Sequence, residues 1–413
     1  MLQVKNTLRE FPLKFWVLVS ATFIDMIGGT LIFPFFALYI TQRFNVGMTE
    51  AGVLLAIFSI AGFVGSLMGG ALTDKFGRRG MVLFGLVFSA LSSLSMGVVD
   101  ELSLFYLLAV VVGLLSNIAG PARQAMVADM LPEEKHAEGY GILRVAGNLA
   151  WIMGPMIGGF LAAKSYLLLF VLDAITSLIT ATIVYKLVPE TKPETSEEQQ
   201  GTVLETLVGY RVVIGDKVYV AFLLASMLML IVYQQMYNTL SVFLRDVHGV
   251  STQGYGFLLS LDAATVVLFQ FWVTRRIKKY APMLMMVVGT LFYLVGFTMY
   301  GFVSTYVLFV VAILLITIGE MVVVPVGQAL VARIAPEDMR GRYMAFYSLA
   351  WTIPAAVGPW AAGLIMDNHD PNLVWYTAGI IAAVAATGFY ILHLKTRPRL
   401  ASDSGEERAP VLT

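Results

Sequence analysis

The chain has no cysteine among its 413 residues. That excludes disulfides, thiolate metal sites and a cysteine nucleophile. Its four histidines, His136, His248, His369 and His393, fall in expected loops or at expected helix ends and form no metal-ligand cluster. Charge is scarce too. Asp, Glu, Lys and Arg make up 13% of the residues, against about 25% in a soluble domain. Lys plus Arg and Asp plus Glu both number 27, so no excess of positive charge is available to hold nucleic acid. No Walker-type phosphate loop and no nucleophile–base pair is visible, which argues against an ATP-driven pump and against an enzyme. No metal and no cofactor is expected.

What the chain has in quantity is apolar sequence, 58% of the residues. A helix needs about 20 apolar residues to cross a bilayer. Twelve such runs can be counted, near 13–41, 49–72, 79–98, 103–128, 138–161, 165–188, 218–244, 253–275, 282–303, 305–333, 340–366 and 371–395. The run after the charged start (Lys5, Arg9, Lys14) is too long for a signal peptide and lacks a small-residue cleavage site, so it reads as the first span. The expected class is an all-α integral membrane protein in the lipid bilayer, and it is expected to be a monomer.

One long polar interruption, about 189–216, follows span six. It opens Pro-Glu-Thr-Lys-Pro-Glu-Thr and continues to Gln200. Residues 202–214 then place Val203, Leu204, Leu207, Val208 and Val212 at a spacing that fits an interfacial amphipathic helix, with a solvated linker as the alternative. The expected organisation is a six-helix bundle over 1–188, a linker over 189–216, a second bundle over 217–397, and a disordered cytoplasmic tail over 398–413.

Basic residues orient the chain. With both termini cytoplasmic, the inside holds Lys75, Arg78, Arg79, Lys135, Arg211, Lys217, Arg275, Arg276, Lys278, Lys279, Arg340, Arg342, Arg397 and Arg399. The outside holds Arg43, Lys164 and Arg245. The chain also repeats itself. Pro121, Gln124, Ala125, Val127, Ala128, Pro132 and Glu133 recur at an offset of 204 as Pro325, Gln328, Ala329, Val331, Ala332, Pro336 and Glu337. The same offset carries Gly154-Pro155 onto Gly358-Pro359 and Gly159 onto Gly363. Chance similarity of apolar segments does not account for matched prolines and glutamates at helix ends. A duplicated six-helix unit does, and six spans per copy keep the two copies in the same orientation.

Between spans two and three lies Gly70-Ala-Leu-Thr-Asp74-Lys-Phe-Gly77-Arg78-Arg79-Gly80. Charges clustered in so short a stretch must sit at a membrane surface. Its order resembles the loop between helices 2 and 3 of major facilitator superfamily transporters, G-x-L-a-D-[RK]-x-G-R-[RK]. The resemblance covers about residues 10–397. It implies two six-helix bundles around a central cavity. Span five carries Gly147-x(6)-Gly154-Pro155-x-x-Gly158-Gly159, which resembles the antiporter motif of exporters in this superfamily, with small-residue packing as the plainer account. The best match is to bacterial drug:proton antiporters of twelve helices. That implies proton-coupled export of lipophilic or cationic small molecules from the cytoplasmic (inner) membrane. A proton symporter, a lipid or lysolipid flippase, and a non-transporting receptor are the alternatives.

Asp25 lies mid-way along span one, where a carboxylate must face a cavity or a partner. It reads either as a proton-coupling or cation-binding acid, or as an Asp neutralised permanently by Arg123. Glu320 in span ten reads as a coupling or substrate-facing acid, or as a buried acid bonded at a kink near Pro325. The resemblance to antiporters with an acid at these places favours coupling for both. Asp173 is a weaker candidate, expected near Tyr166 or water. Asp262 and Asn148 read as polar cavity or packing residues. The antiporters' motif-B arginine is absent, since Ala109 holds that position, and Arg123 is the substitute. The expected substrate cavity is Asp25, Arg123, Asn148, Tyr233, Gln234, Tyr237, Asn238 and Glu320. Gly70, Asp74, Gly77, Arg78, Arg79 and Asp129 are expected to form a cytoplasmic latch. In it Asp74 faces span eleven near 340–344 and Arg78 pairs with Asp129.

Overall fold

The computed structural model describes residues 10–192, 212–336 and 339–402. Twelve helical segments are long and apolar enough to cross a membrane. We number them α1 (Leu13–Arg43), α2 (Met48–Phe76), α3 (Arg78–Val98), α4 (Leu102–Met130), α5 (His136–Ala162), α6 (Tyr166–Leu187), α7 (Lys217–His248), α8 (Thr252–Ile277), α9 (Pro282–Met299), α10 (Tyr306–Ile334), α11 (Arg340–Asn368) and α12 (Leu373–Ser402). Helix α12 runs to Ser402, past the boundary at 397 expected for the second bundle, and residues 403–413 of the expected tail lie outside the described residues. The proposed interfacial helix over 202–214 falls mainly outside the described residues, which resume with a helical turn at 212–215.

Helices α1–α6 form one bundle and α7–α12 the other. Within the first, α1 packs on α5 and α6, α2 on α4, and α3 on α6. Within the second, α7 packs on α11 and α12, and α9 on α10 and α12. The α2–α3 loop, the start of α1 and the end of α12 share one side of the molecule, called here the basic face. Large apolar side chains such as Phe271, Trp272 and Phe302 stand exposed on the outer surface, as a hydrocarbon solvent permits.

Several spans are broken where the pattern of hydropathy shows one run. Pro34 has no N–H to donate, and α1 tightens into a 3-10 turn at Phe33–Phe35. Helix α4 is interrupted at 117–119 and restarts with Pro121 in its first turn. Helix α7 is interrupted at 235–238. Backbone groups freed inside a membrane need partners, and α7 finds them in side chains. Gln235 Nε2 donates to the Ile231 carbonyl (2.8 Å), and Tyr255 Oη donates to the Met236 carbonyl (2.8 Å). Thr239 Oγ1 in turn donates to Gln235 Oε1 (2.5 Å).

The bundles meet along two seams at the face opposite the basic one. Helix α2 lies on α11, and α5 lies on α8. These seams are main chain against main chain. A Cβ on Gly52 would stand 2.5 Å from Trp360 Cα, and one on Gly363 would stand 2.5 Å from the Thr49 nitrogen. A Cβ on Gly159 would stand 2.6 Å from the Thr252 carbonyl oxygen. Glycine at these positions permits the approach, so the repeated glycines do serve packing. Hydrogen bonds fasten the same face. The Asp367 carboxylate accepts from the backbone nitrogens of Met48 (3.0 Å) and Thr49 (2.7 Å), at the start of α2. Arg245 Nη1 donates to Thr41 Oγ1 (3.1 Å), and Thr252 Oγ1 donates to the Gly159 carbonyl (2.9 Å). On the basic-face side of the seams a cavity of about 700 Å³ separates the bundles, lined by α2 from Ser59 to Leu67 and by α11 from Ala345 to Ala355.

Candidate functional site

The central cavity leads to a smaller chamber of about 300 Å³ between the bundles. Helix breaks build its walls. The 3-10 turn of α1 presents Phe33, and the end of the first half of α7 presents Tyr233 and Gln234, with Tyr237 in the break itself. Asn148 and Trp151 come from α5, three residues apart and so on one face. Trp351 comes from α11. The rings touch across the bundle boundary. Trp151 and Tyr237 have centroids 5.3 Å apart, and Phe33 and Tyr237 6.0 Å. Within each bundle, Phe33 and Trp151 stand at 5.9 Å, and Tyr233 and Trp351 at 6.1 Å.

Two acids complete this chamber, Glu320 from α10 and Asp262 from α8. Thr317, one turn from Glu320, donates to Asp262 Oδ1 (2.6 Å) and ties the two helices together. Tyr233 and Tyr237 share a hydrogen bond of 2.9 Å between their hydroxyls. Glu320 Oε2 is buried with no hydrogen-bond partner among the described residues, while the Tyr233 hydroxyl stands close enough to act on the same carboxyl. The charged side chains whose fields reach Glu320 are Asp262 and, from the facing bundle, Arg144. An aromatic box with an acid in its wall offers a cation the ring quadrupoles and, when the acid is ionised, a counter-charge.

A second cavity of about 500 Å³ lies inside the first bundle, and Asp25 and Asp173 line it together with Ser89, Ser92, Ser93 and Asn117. Here the acid is paired. Asp25 Oδ2 accepts from Arg123 Nη1 at 2.5 Å, and Asp25 Oδ1 accepts from Ser177 Oγ at 3.2 Å. Asp173 is 6% exposed and accepts from the Ser93 hydroxyl, not from Tyr166, whose own hydroxyl has no partner among the described residues. The expected single substrate cavity is therefore two. Asn148, Tyr233, Gln234, Tyr237 and Glu320 share the chamber between the bundles, while Asp25 and Arg123 meet in the first bundle. Asn238 lines neither. It is 3% exposed, and its amide donates to the Gln234 carbonyl.

The motif loop is held from within its own bundle. Arg78 Nε pairs with Asp129 Oδ2 at 3.2 Å as expected, but both belong to α1–α6. The pair clamps α3 to α4 and does not bridge the bundles. Glu190, just after α6, accepts from the backbone nitrogens of Arg78 (2.9 Å) and Arg79 (3.1 Å) and so caps the start of α3. Burial alone raises the Glu190 carboxyl. The four backbone N–H groups of Lys192, Arg78, Thr191 and Arg79 outweigh that and hold it below the ordinary glutamate range. Gly77 turns the chain with φ of 84°, and a Cβ there would stand 2.7 Å from Glu190 Oε2. The motif glycine is required twice over. The Asp74 side chain and the surroundings of Gly70 lie outside what is described, as does the expected contact of Asp74 with α11.

In the span-five motif, Gly154 and Gly158 sit against α1 at Thr30 and Phe35, and Gly159 sits against α8. Thr30 Oγ1 also lies 3.1 Å from the Ala150 carbonyl. Gly147 faces Met26 of α1, and Pro155 lies inside α5. The residues missed by sequence reasoning are Phe33, Trp151 and Trp351 of the chamber, Glu190, and Asp367. An acid at each end of a span was the available signal for the last two.

Comparison with known proteins agrees with this architecture. The family model described as Major Facilitator Superfamily matches residues 18–320 and 235–413. An uncharacterised MFS-type transporter, YttB of Bacillus subtilis, is 28% identical over 363 residues, 87% of this chain and 89% of its own. A Na(+), Li(+), K(+)/H(+) antiporter of Planococcus maritimus is 26% identical over 80% of this chain and 84% of its own. The multidrug resistance protein MdtH of Salmonella paratyphi B is 23% identical over 94% and 96%. Among solved structures, the nucleoside transporter NupG superposes with a TM-score of 0.78 at 15% identity, covering 92% of this chain and 99% of that one, a likeness of fold. Twelve apolar helices, two bundles about a central cavity and a family match along the chain lead to one conclusion: this protein is a membrane transporter that belongs to the Major Facilitator Superfamily.

Proposed function

We propose that the protein exports lipophilic cations in exchange for protons, by alternating access across the inner membrane with its basic face cytoplasmic. The observation that carries this reading is the chamber between the bundles, aromatic on both sides and holding Glu320 with an unpartnered oxygen. A lipophilic cation supplies what that oxygen lacks and fills the rings. MdtH and the Planococcus antiporter are similar proteins whose names describe drug resistance and cation/proton exchange.

Asp25 is the proton site in this reading. It is paired with Arg123 inside the first bundle, and proton uptake on Asp25 would replace that contact as α1 and α4 shift against each other. Seams closed at the opposite face and a cavity beside α11 correspond to the cytoplasm-facing state.

The test is transport in proteoliposomes under an imposed pH gradient with a panel of lipophilic dyes, cationic and neutral. Cationic dyes should move against their gradient as protons run down theirs, and Asp25→Asn should abolish this while leaving the fold intact. Gradient-driven flux of equal size in Asp25→Asn would refute the role of Asp25. Flux of neutral dyes alone would refute the cation reading.

A further inference from the structure

Helices α3 and α6 face each other across two polar rungs. In the first, the Ser93 hydroxyl donates to Asp173 Oδ2. In the second, one turn nearer the basic face on both helices, the hydroxyls of Ser89 and Ser177 stand 3.4 Å apart. Ser177 donates to Asp25 Oδ1 at 3.2 Å, and Asp25 holds Arg123. Side chains from α1, α3, α4 and α6 thus make two hydrogen-bonded rungs, Ser93–Asp173 and Ser89–Ser177–Asp25–Arg123, one helical turn apart on a shared cavity that water can bridge. A row of hydroxyls between two carboxylates supplies groups that can each accept one proton and donate another.

The ladder also borders open space at both levels. Asp173, Ser93, Ser89 and Asp25 line the same cavity, which shares Ser59 and Asn117 with the central one. The contact with α1 is made possible by Gly28, where a Cβ would stand 2.5 Å from Asp173 Oδ1. Asp173 faces Asp25 and Gly28 of α1 and Ser93 of α3, and the charge that acts on it is that of Asp25. Helix α5 also packs on α6, and its titratable groups, His136, Glu138, Tyr140 and Arg144, lie in its first turns at the basic face.

We propose that Asp173 is the proton-uptake residue of this transporter, taking a proton from the opposite face and passing it to Asp25 along the serine ladder. This rests on the reading of Asp25 as the coupling acid. The transfer balances. Protonated Asp173 gives its proton to a ladder hydroxyl or to cavity water, each member passes on its own proton, and Asp25 receives one through Ser177 as it parts from Arg123. Asp173 ends as the carboxylate and Asp25 as the acid, with no change in net charge.

Infrared difference spectroscopy of the full-length protein in liposomes, titrated through the neutral range, tests this without any substrate. Among the carbonyl bands of carboxylic acids that change, one is expected to vanish in Asp173→Asn and another in Asp25→Asn, apart from those of Asp262 and Glu320. Ser177→Ala keeps both acids and should slow the arrival of the Asp25 band after an acid jump about tenfold, the effect of one lost hydrogen bond in the path. Should Asp173→Asn fail to fold, Ser93→Ala must shift the Asp173 band, and an unshifted spectrum overturns the ladder. A titrating Asp25 with no Asp173 band overturns the relay alone. Absence of an Asp25 band overturns the coupling reading and the relay together.

Discussion

Replacing Asp367 by Asn should open the face that the structure holds closed. The carboxylate accepts two backbone N–H bonds from the first residues of α2, at 3.0 and 2.7 Å, across the bundle boundary. Charge-assisted hydrogen bonds contribute about 1.5–3 kcal/mol where water is excluded, and an anion at a helix start adds about 0.3–1 kcal/mol. Asp367 is exposed, so water competes for both contributions. Asn keeps one acceptor oxygen and loses the charge. The net loss is then about 1 kcal/mol, which is about fivefold in the ratio of closed to open. The chain has no cysteine, so cysteines introduced at Gln42 and Asn368, exposed ends of α1 and α11, can carry spin labels without background. Their distance distribution in liposomes should gain a longer component in Asp367→Asn. An unchanged distribution in a folded variant would refute the assignment of this contact as a fastener of the opposite face.

Glu320→Gln should reduce transport of cationic dyes far more than of neutral ones, because it removes charge and keeps shape; equal losses in the liposome assay would make Glu320 structural. Glu190→Gln should lower the thermal midpoint at neutral pH. Since the folded carboxyl lies below its ordinary value, its stabilisation is present above about pH 4.3 and is lost as pH falls through the folded value. The gap between wild type and variant in thermal melts should therefore close on acidification. Gly28→Ala forces a Cβ into Asp173 and Thr176 and should cost about 1–3 kcal/mol, read as a lower unfolding midpoint, with Ala at the open neighbour Gly29 as the silent control.

The spans, their number and the repeat were legible because each is a property of one segment read along its length. The breaks were not. A hydropathy window averages over about 19 residues, and the interruption of α7 at 235–238 is flanked by apolar residues that fill the window. The pairing of Asp25 with Arg123 was foreseen as an alternative, and Arg78 with Asp129 was foreseen outright. Partners of Asp173 were not, since one residue of helix is a 100° turn and the rotation of α3 against α6 decides whether Ser92 or Ser93 meets it. Glu190 read as the start of a linker because its role needs the chain after α6 to fold back on the start of α3. The chamber divided from the Asp25 cavity for a similar reason. Both acids are deep in sequence terms, yet which bundle wall each faces is set by packing.

The seams of glycine against main chain bear on how fast the transporter can work. Surfaces that meet this way have few interlocked rotamers to release, so parting them loses dispersion contact without forcing side-chain torsions over barriers. On the proposed alternating-access cycle, once the hydrogen bonds of this face are released, the tempo of opening is set by what flows into the widening gap, lipid from the sides and water from above. Turnover should accordingly follow the fluidity of the surrounding bilayer. A stiffer membrane would slow the cycle while leaving the balance between its two end states where it was.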